Sequence, residues 1–232
     1  MSAASPMSIV FPIYDGVTQL DFTGPHQVLA RLPGARLTVA SVGGATVTAD
    51  DGLTFGGLAR LEDIVQCDVL CVPGGMRCTD AMQNAEFMAA IRRLGPGARY
   101  LTSVCSGSMI LGAAGLLTGR RAACHWFWRD LLPVFGAIPD AARVVRDGHV
   151  VTGGGVTAGI DFALTLVAEI AGDALAQSIQ LALEYAPAPP FDAGRPDTAR
   201  TDIAQSVMAA GIASRPQRLA LMESIARANA AR

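Results

Sequence analysis

The stretch SVCSGSMILGAAGLL, Ser103 to Leu117, joins a β-rich run to a run of small, helix-compatible residues through a single cysteine. Upstream, Arg99–Val104 (RYLTSV) has the composition of a buried strand. Downstream, Ser106–Leu117 reads as a helix packed closely through small side chains. A strand that turns sharply into a helix is the unit from which parallel sheets are assembled.

The same unit recurs on both sides. Met7–Tyr14 (MSIVFPIY) reads as the first strand, and Thr23-Gly24-Pro25 as a helix start with proline in the first turn. Arg36–Ser41 (RLTVAS) is a second strand. Asp68–Val72 (DVLCV) is a buried one that ends in Pro73-Gly74-Gly75. The periodicity of Thr79–Leu94 predicts a helix with Thr79 as its N-cap. Arg143–Thr152 (RVVRDGHVVT) places Asp147-Gly148 between two alternating apolar runs, which predicts a β-hairpin. Gly153-Gly154-Gly155 leads into a helix over Gly159–Ile170, and Gly172–Tyr185 into another.

The alternation predicts an α/β fold, a doubly wound and mostly parallel sheet with helices on both faces. Pro187–Pro196 (PAPPFDAGRP) is expected to lie across a surface or a partner subunit, and Thr201–Arg232 to form one or two terminal helices. No internal repeat is present. The expected organisation is one α/β domain over residues 1–200, with 201–232 as a helical extension of it.

Of 232 residues, 51% are hydrophobic and 16% charged, enough apolar material for a large core. All eighteen basic residues are arginine, scattered, and the net charge is −2. There is no basic stripe for nucleic acid and no polybasic run for an anionic membrane. No apolar run reaches the roughly 18 residues of a membrane span. MSAASPMSIVFPIY has no positive region ahead of its apolar run, so the expectation is a cytoplasmic protein. The odd set Cys67, Cys71, Cys78, Cys105 and Cys124 argues against a disulfide framework, and its spacing against a zinc site.

Cys105 is the exception among these thiols. Ligands gather at the carboxyl ends of strands in open α/β sheets, and Cys105 falls at such an end. Val104-Cys105-Ser106-Gly107 resembles a nucleophile elbow with cysteine in place of serine. A helix N-terminus behind the sulfur is expected to lower its pKa, and Ser106 and Ser108 to cap exposed amides. The Gly75 and Ser106 amides are expected to form a two-donor site for developing negative charge. Asp21, in QLDFTGP (Gln19 to Pro25), is expected at the same sheet edge. A carboxyl facing a thiolate gains a raised pKa and can carry a proton to it. His125, in CHWFW (Cys124 to Trp128), is a candidate base, with a packed histidine as the alternative. Gly154 and Val156 belong to a glycine-entered segment, Val151–Asp161, that packs near the elbow and either shifts on covalent loading or simply permits a turn.

The elbow at Cys105, the upstream Pro-Gly-Gly and the acidic residue after the first strand resemble the ThiJ/PfpI superfamily. Within it, the segments QLDFTGPHQVL, CVPGG, YLTSVCSGSMILGAAGLL, RAACHW, RVVRDG, VTGGGVTAGIDFALTL and LALEYAPAPPFDAGRPDTA are similar to the isocyanide hydratases, over about Gln19 to Ala199. The resemblance implies a flavodoxin-like fold, a homodimer, no cofactor and no metal. It also implies hydration of an isocyanide, R–NC, to an N-substituted formamide, with water as co-substrate, Cys105 as nucleophile and Asp21 as acid/base. Ser106 stands where such enzymes are expected to carry threonine, keeping the hydroxyl but losing the methyl that restricts its rotamer. Two rivals use the same cysteine: a glyoxalase- or deglycase-like activity, and a non-enzymatic redox sensor.

Overall fold

In the computed structural model, which describes residues 7–230, the expected alternation is realised. The first half runs β1 (Ser8–Pro12), α1 (Leu20–Leu29), β2 (Arg36–Ser41), β3 (Val47–Thr48), β4 (Thr54–Phe55), β5 (Ala59–Arg60) and β6 (Val69–Val72). Next come α2 (Cys78–Gln83), α3 (Ala85–Leu94), β7 (Tyr100–Val104), α4 (Gly107–Ala113), β8 (Arg121–Ala122), α5 (Trp126–Arg129) and β9 (Ile138–Pro139). The chain closes with β10 (Val144–Asp147), β11 (Val150–Gly153), α6 (Ala158–Ala171), α7 (Asp173–Ala182) and α8 (Thr201–Ala230).

Seven strands form the main sheet in the order β10-β11-β7-β6-β1-β2-β5. Only the β10–β11 pair is antiparallel. β6 and β7 are buried at every residue, as strands covered on both faces must be. The fold is therefore a mostly parallel, flavodoxin-like α/β sheet. From β1 the chain winds first to β2 on one side and later to β6 on the other. The crevice at that reversal is where such sheets place ligands.

Several boundaries differ from the sequence expectations. α1 begins at Leu20 rather than near Pro25, which lies inside it. Asp21 is thus in the first turn of a helix, close to β1. The helix expected over Thr79–Leu94 is two helices. Asn84 leaves helical geometry (ψ 110°), and its side chain accepts from Phe87 N–H at 3.0 Å, capping α3. Thr79 lies within α2 and caps nothing. α4 stops at Ala113, ahead of Gly115 with φ at +81°. The hairpin is present, but its two-residue turn is Gly148-His149, because β10 still pairs Asp147 with Val150.

The carboxyl-terminal region forms one helix, α8, with Pro216 inside it. It packs onto the core through Met222, which is fully buried. Arg215 pairs with Asp130 at 2.5 Å, and the Asn229 amide donates to the Ala113 carbonyl. Pro187–Pro196 has no regular structure, and Gly194–Pro196 lie against Trp126 and α8. Of the two expected spans, residues 1–6 and 231–232 lie outside the described residues. Among the described residues no helix is long and apolar enough to cross a membrane, and no group of three His, Cys, Asp or Glu side chains is placed to hold a metal ion.

Candidate active site

Cys105 sits at the carboxyl end of β7 with φ at +60°, one of two non-glycine residues with positive φ among those described. A β-carbon in that region is strained. The strain is held by the surroundings: the Cys105 N–H donates to the Gly154 carbonyl at 2.7 Å and the Gly153 carbonyl at 3.1 Å. Gly154 therefore contributes its backbone to the elbow. The amides of Val156 and Ser106 both lie against the sulfur and favour its anion.

Gly107 and Gly74 make the close approach possible. A β-carbon on Gly107 would lie 2.1 Å from the Val72 carbonyl oxygen. One on Gly74 would lie 2.5 Å from Ser106 N and 2.8 Å from Asp21 Oδ2. Without a side chain there, the Gly74 N–H donates to Asp21 Oδ2 at 3.0 Å. Three strand ends thus converge: Asp21 follows β1, Gly74-Gly75 follow β6, and Cys105-Ser106 follow β7.

Asp21 is fully buried. Its carboxyl lies beside the Cys105 thiol, and Oδ1 has no hydrogen-bond partner among the described residues. Burial pushes its pKa up to about 7, against the opposing pull of the Cys105 and Gly74 hydrogen bonds. The expected approach of Asp21 to the cysteine is what the structure contains.

The expected depressed thiol is not. Cys105 is 6% exposed. Burial first, then the neighbouring Asp21, push its pKa well above the usual thiol range, and the two amides offset only part of this. Desolvation of an anion outweighs two backbone donors here. The sensor reading needs an exposed thiol, and Cys105 is buried.

The expected pair of free amides is also corrected. The Gly75 N–H is taken: it donates to Ser106 Oγ at 3.0 Å. The free donors at the sulfur come instead from Ser106 and Val156. The Ser106 hydroxyl is oriented by Gly75 and by the Cys78 thiol, so backbone contact replaces the rotamer restriction a threonine methyl supplies. It caps no helix, and neither does Ser108, which bonds the Ala123 carbonyl at 2.5 Å and Ser103 Oγ at 2.8 Å.

His125 is a packed residue in this structure. Its Nδ1 accepts from Phe127 N–H at 3.3 Å and so caps α5, its ring stacks on Trp126, and burial lowers its pKa. It faces the site as part of a wall.

Above Cys105 lies a cavity of about 580 Å³, within the range of small-molecule sites. Its walls are mostly apolar and include Met76, Trp126, Phe127, Trp128, Val156 and, from α8, Val207. Arg218, also from α8, lines it too. Apart from Val156, sequence reading passed over these residues. A tryptophan-rich CHWFW segment was a legible signal for the wall, but nothing local marked Arg218 among eighteen arginines. The arrangement offers a thiol, a buried carboxyl able to exchange a proton with it, two amides for the sulfur anion, and an apolar chamber for a small uncharged electrophile.

A family model described as DJ-1/PfpI family matches residues 7–169. The chain is 52% identical over 193 residues to the isonitrile hydratase of Pseudomonas putida, which covers 83% of this chain and 85% of that protein. It is 31% identical over 148 residues to the HTH-type transcriptional regulator CdhR of Pseudomonas aeruginosa, 62% of this chain and 43% of the regulator. Among solved structures, a ThiJ/PfpI family protein from Pseudomonas syringae matches with a TM-score of 0.89 at 40% identity, covering 97% of this chain and 92% of that one. Toxoplasma gondii DJ-1 shares the fold, with a TM-score of 0.70 at 22% identity over 78% of this chain and all of the other. With its elbow cysteine, its sheet order and these matches, the chain belongs to the DJ-1/PfpI family.

Proposed function

We propose that this protein hydrates organic isocyanides to N-substituted formamides by covalent catalysis at Cys105. The observation that carries the reading is the buried Asp21 carboxyl beside the Cys105 thiol at the floor of a mostly apolar cavity. The 52% identity to an isonitrile hydratase supplies the substrate class.

The chemistry balances with these groups alone. Asp21 and Cys105 share one proton, and its transfer to the carboxylate leaves a thiolate facing the Ser106 and Val156 amides. The sulfur attacks the terminal carbon of R–NC, and the protonated Asp21 delivers its proton to that same carbon, giving the thioimidate R–N=CH–S–Cys105. The carboxylate so formed takes a proton from an incoming water molecule as its oxygen adds to the carbon. Asp21 passes that proton to the imine nitrogen, and collapse of R–NH–CH(OH)–S–Cys105 releases R–NH–CHO as the hydroxyl proton returns to the Asp21–Cys105 pair. An apolar chamber suits the reaction, because an isocyanide is compact and uncharged, and exclusion of bulk water strengthens each charge interaction.

In this reading the protein works as a cytoplasmic homodimer without metal or organic cofactor, residues 1–200 forming the catalytic domain and 201–232 its extension. The test compares cyclohexyl isocyanide with methylglyoxal, following formamide appearance and aldehyde loss. The expected result is formamide formation by the wild type and none by Cys105→Ala. Turnover of the aldehyde alone assigns the glyoxalase-like reading, and retained hydration in Cys105→Ala eliminates the covalent mechanism.

A further inference from the structure

The cavity above Cys105 is mostly apolar, with Thr18, Thr79, Ser106, Ser214 and His125 as its neutral polar lining and Arg218 beside them. Among the described residues that line it, Arg218 alone carries a fixed formal charge, and burial pushes the His125 pKa down. A guanidinium in such a place needs either a counter-ion or a full set of hydrogen bonds. Arg218 has neither. Its Nη1 donates to the Phe127 carbonyl and its Nη2 to the Gly211 carbonyl, both at 2.9 Å. Its Nε–H is buried without an acceptor. Asp130, the carboxylate on the neighbouring element, is engaged by both Nε and Nη2 of Arg215, at 2.9 and 2.5 Å. Among the described residues no carboxylate lies within ion-pair distance of Arg218.

The head is also fixed in place. It lies 4.8 Å from the centre of the Phe127 ring and 4.6 Å from that of Trp128. Cation–π contact and two carbonyls hold a planar donor set rigidly, which is how a site prepares a charge for recognition rather than leaving it to solvent. One buried donor is left over, and the nearest carboxylate, Asp130, acts on the charge only from beyond ion-pair distance.

We infer that Arg218 is a specificity-determining residue, and that the preferred ligand of this cavity joins an apolar body to a carboxylate or similar anionic group that Arg218 receives. This rests on the proposed reaction for its electrophile: the preferred substrate is an isocyano acid, with the isocyanide carbon at Cys105, the hydrocarbon against Met76, Trp126 and Val156, and the anion at Arg218.

The experiment pairs 4-isocyanobenzoate with 4-methylphenyl isocyanide, which differ little in size and differ in charge. The wild type is expected to favour the acid by at least tenfold in kcat/KM. Arg218→Gln is expected to lower that acid-to-neutral ratio by at least tenfold, chiefly through KM for the acid. Arg218→Lys, which keeps the charge but loses the planar donor, is expected to fall between. A merely structural Arg218 changes both substrates together and leaves the ratio unmoved, and that result overturns the proposal, as does a wild type without preference for the acid. A second measurement is independent of turnover: calorimetric binding of 4-formamidobenzoate and N-(4-methylphenyl)formamide to Cys105→Ala. Tighter binding of the acid, abolished by adding Arg218→Gln, upholds the anion site even if no isocyanide is hydrated; equal binding of the two sinks it.

Discussion

The Gly75 N–H donates to Ser106 Oγ at 3.0 Å, and both groups are buried. This bond ties the loop after β6 to the turn after β7, and so fixes the distance between the two halves of the site. Ser106→Ala leaves the buried Gly75 amide without its side-chain acceptor. A buried donor stripped of its partner costs about 1–3 kcal/mol. Urea denaturation is expected to show a loss of that size, together with a fall in turnover as the elbow loosens. Ser106→Thr keeps the oxygen and is expected to retain both properties. Equal stability of the alanine variant and the wild type would show that the bond positions nothing.

Asp21 makes the site sensitive to pH, and the sign follows from its folded pKa of about 7 against an ordinary value of 3.8. In the proposed mechanism the active form of the Asp21–Cys105 pair carries one proton. Below about pH 7 the pair carries two, and no base is left to release the thiol. The limb of kcat/KM is therefore expected to rise through about pH 7 and to belong to the pair, not to either residue alone. A rate that falls between pH 6 and 8 contradicts this assignment. Stability moves the other way. A carboxyl whose folded pKa is raised holds its proton more tightly when folded, so its contribution is full below pH 3.8 and lost as pH rises through about 7. Asp21→Asn imitates the protonated group. Relative to the wild type, its Tm is expected to gain across that window, by a free energy of at most about 4 kcal/mol, while its turnover is severely impaired.

The strand, elbow and helix around Cys105 were legible because the information is local: a β-rich run, one cysteine, then glycine and small residues. Asp21 was legible as a partner because strand order puts successive carboxyl ends side by side. What failed depended on tertiary context. Proline at a helix start is a sound local rule, yet α1 begins five residues before Pro25, with the Asp21 N–H donating to the Thr18 carbonyl ahead of its first turn. The split at Asn84 was written in its side chain, but an uninterrupted apolar rhythm concealed it. The thiol was expected to be acidic because a helix terminus acts from nearby in sequence. Its actual environment includes the buried Asp21, which follows β1, and the cavity walls built from α5 and α8, parts of the chain far from Cys105. For the same reason the charge at Arg218 became visible only once α8 was seen to reach the site.

That helix lines the site through Val207, Ser214 and Arg218 and packs Gly211 between them against Phe127. A β-carbon there would lie 1.6 Å from Cζ of Phe127, so the ring is pressed against the bare backbone of α8. The same ring contributes to the cavity wall and to the clamp on Arg218. Gly211→Ala cannot be accommodated by a small adjustment of one flexible chain end, because the obstacle is a ring already packed against Trp126 with centroids 4.7 Å apart. Either the ring rotates into the cavity or α8 lifts away from it. Intrinsic propensity works in the opposite direction, since alanine in a helix is favoured over glycine by about 1 kcal/mol. The overlap is the larger effect, as overpacking typically costs about 1–3 kcal/mol. The variant is expected to lose stability despite its better helix former, to expose α8 to limited proteolysis, and to lose affinity for substrates that fill the chamber more than for the smallest isocyanides. Adding Phe127→Leu removes the far edge of the ring and is expected to restore part of the Tm. If Gly211→Ala instead raises Tm with proteolysis unchanged, α8 does not bear on Phe127 in solution, and the chamber above Cys105 lacks the roof described for it.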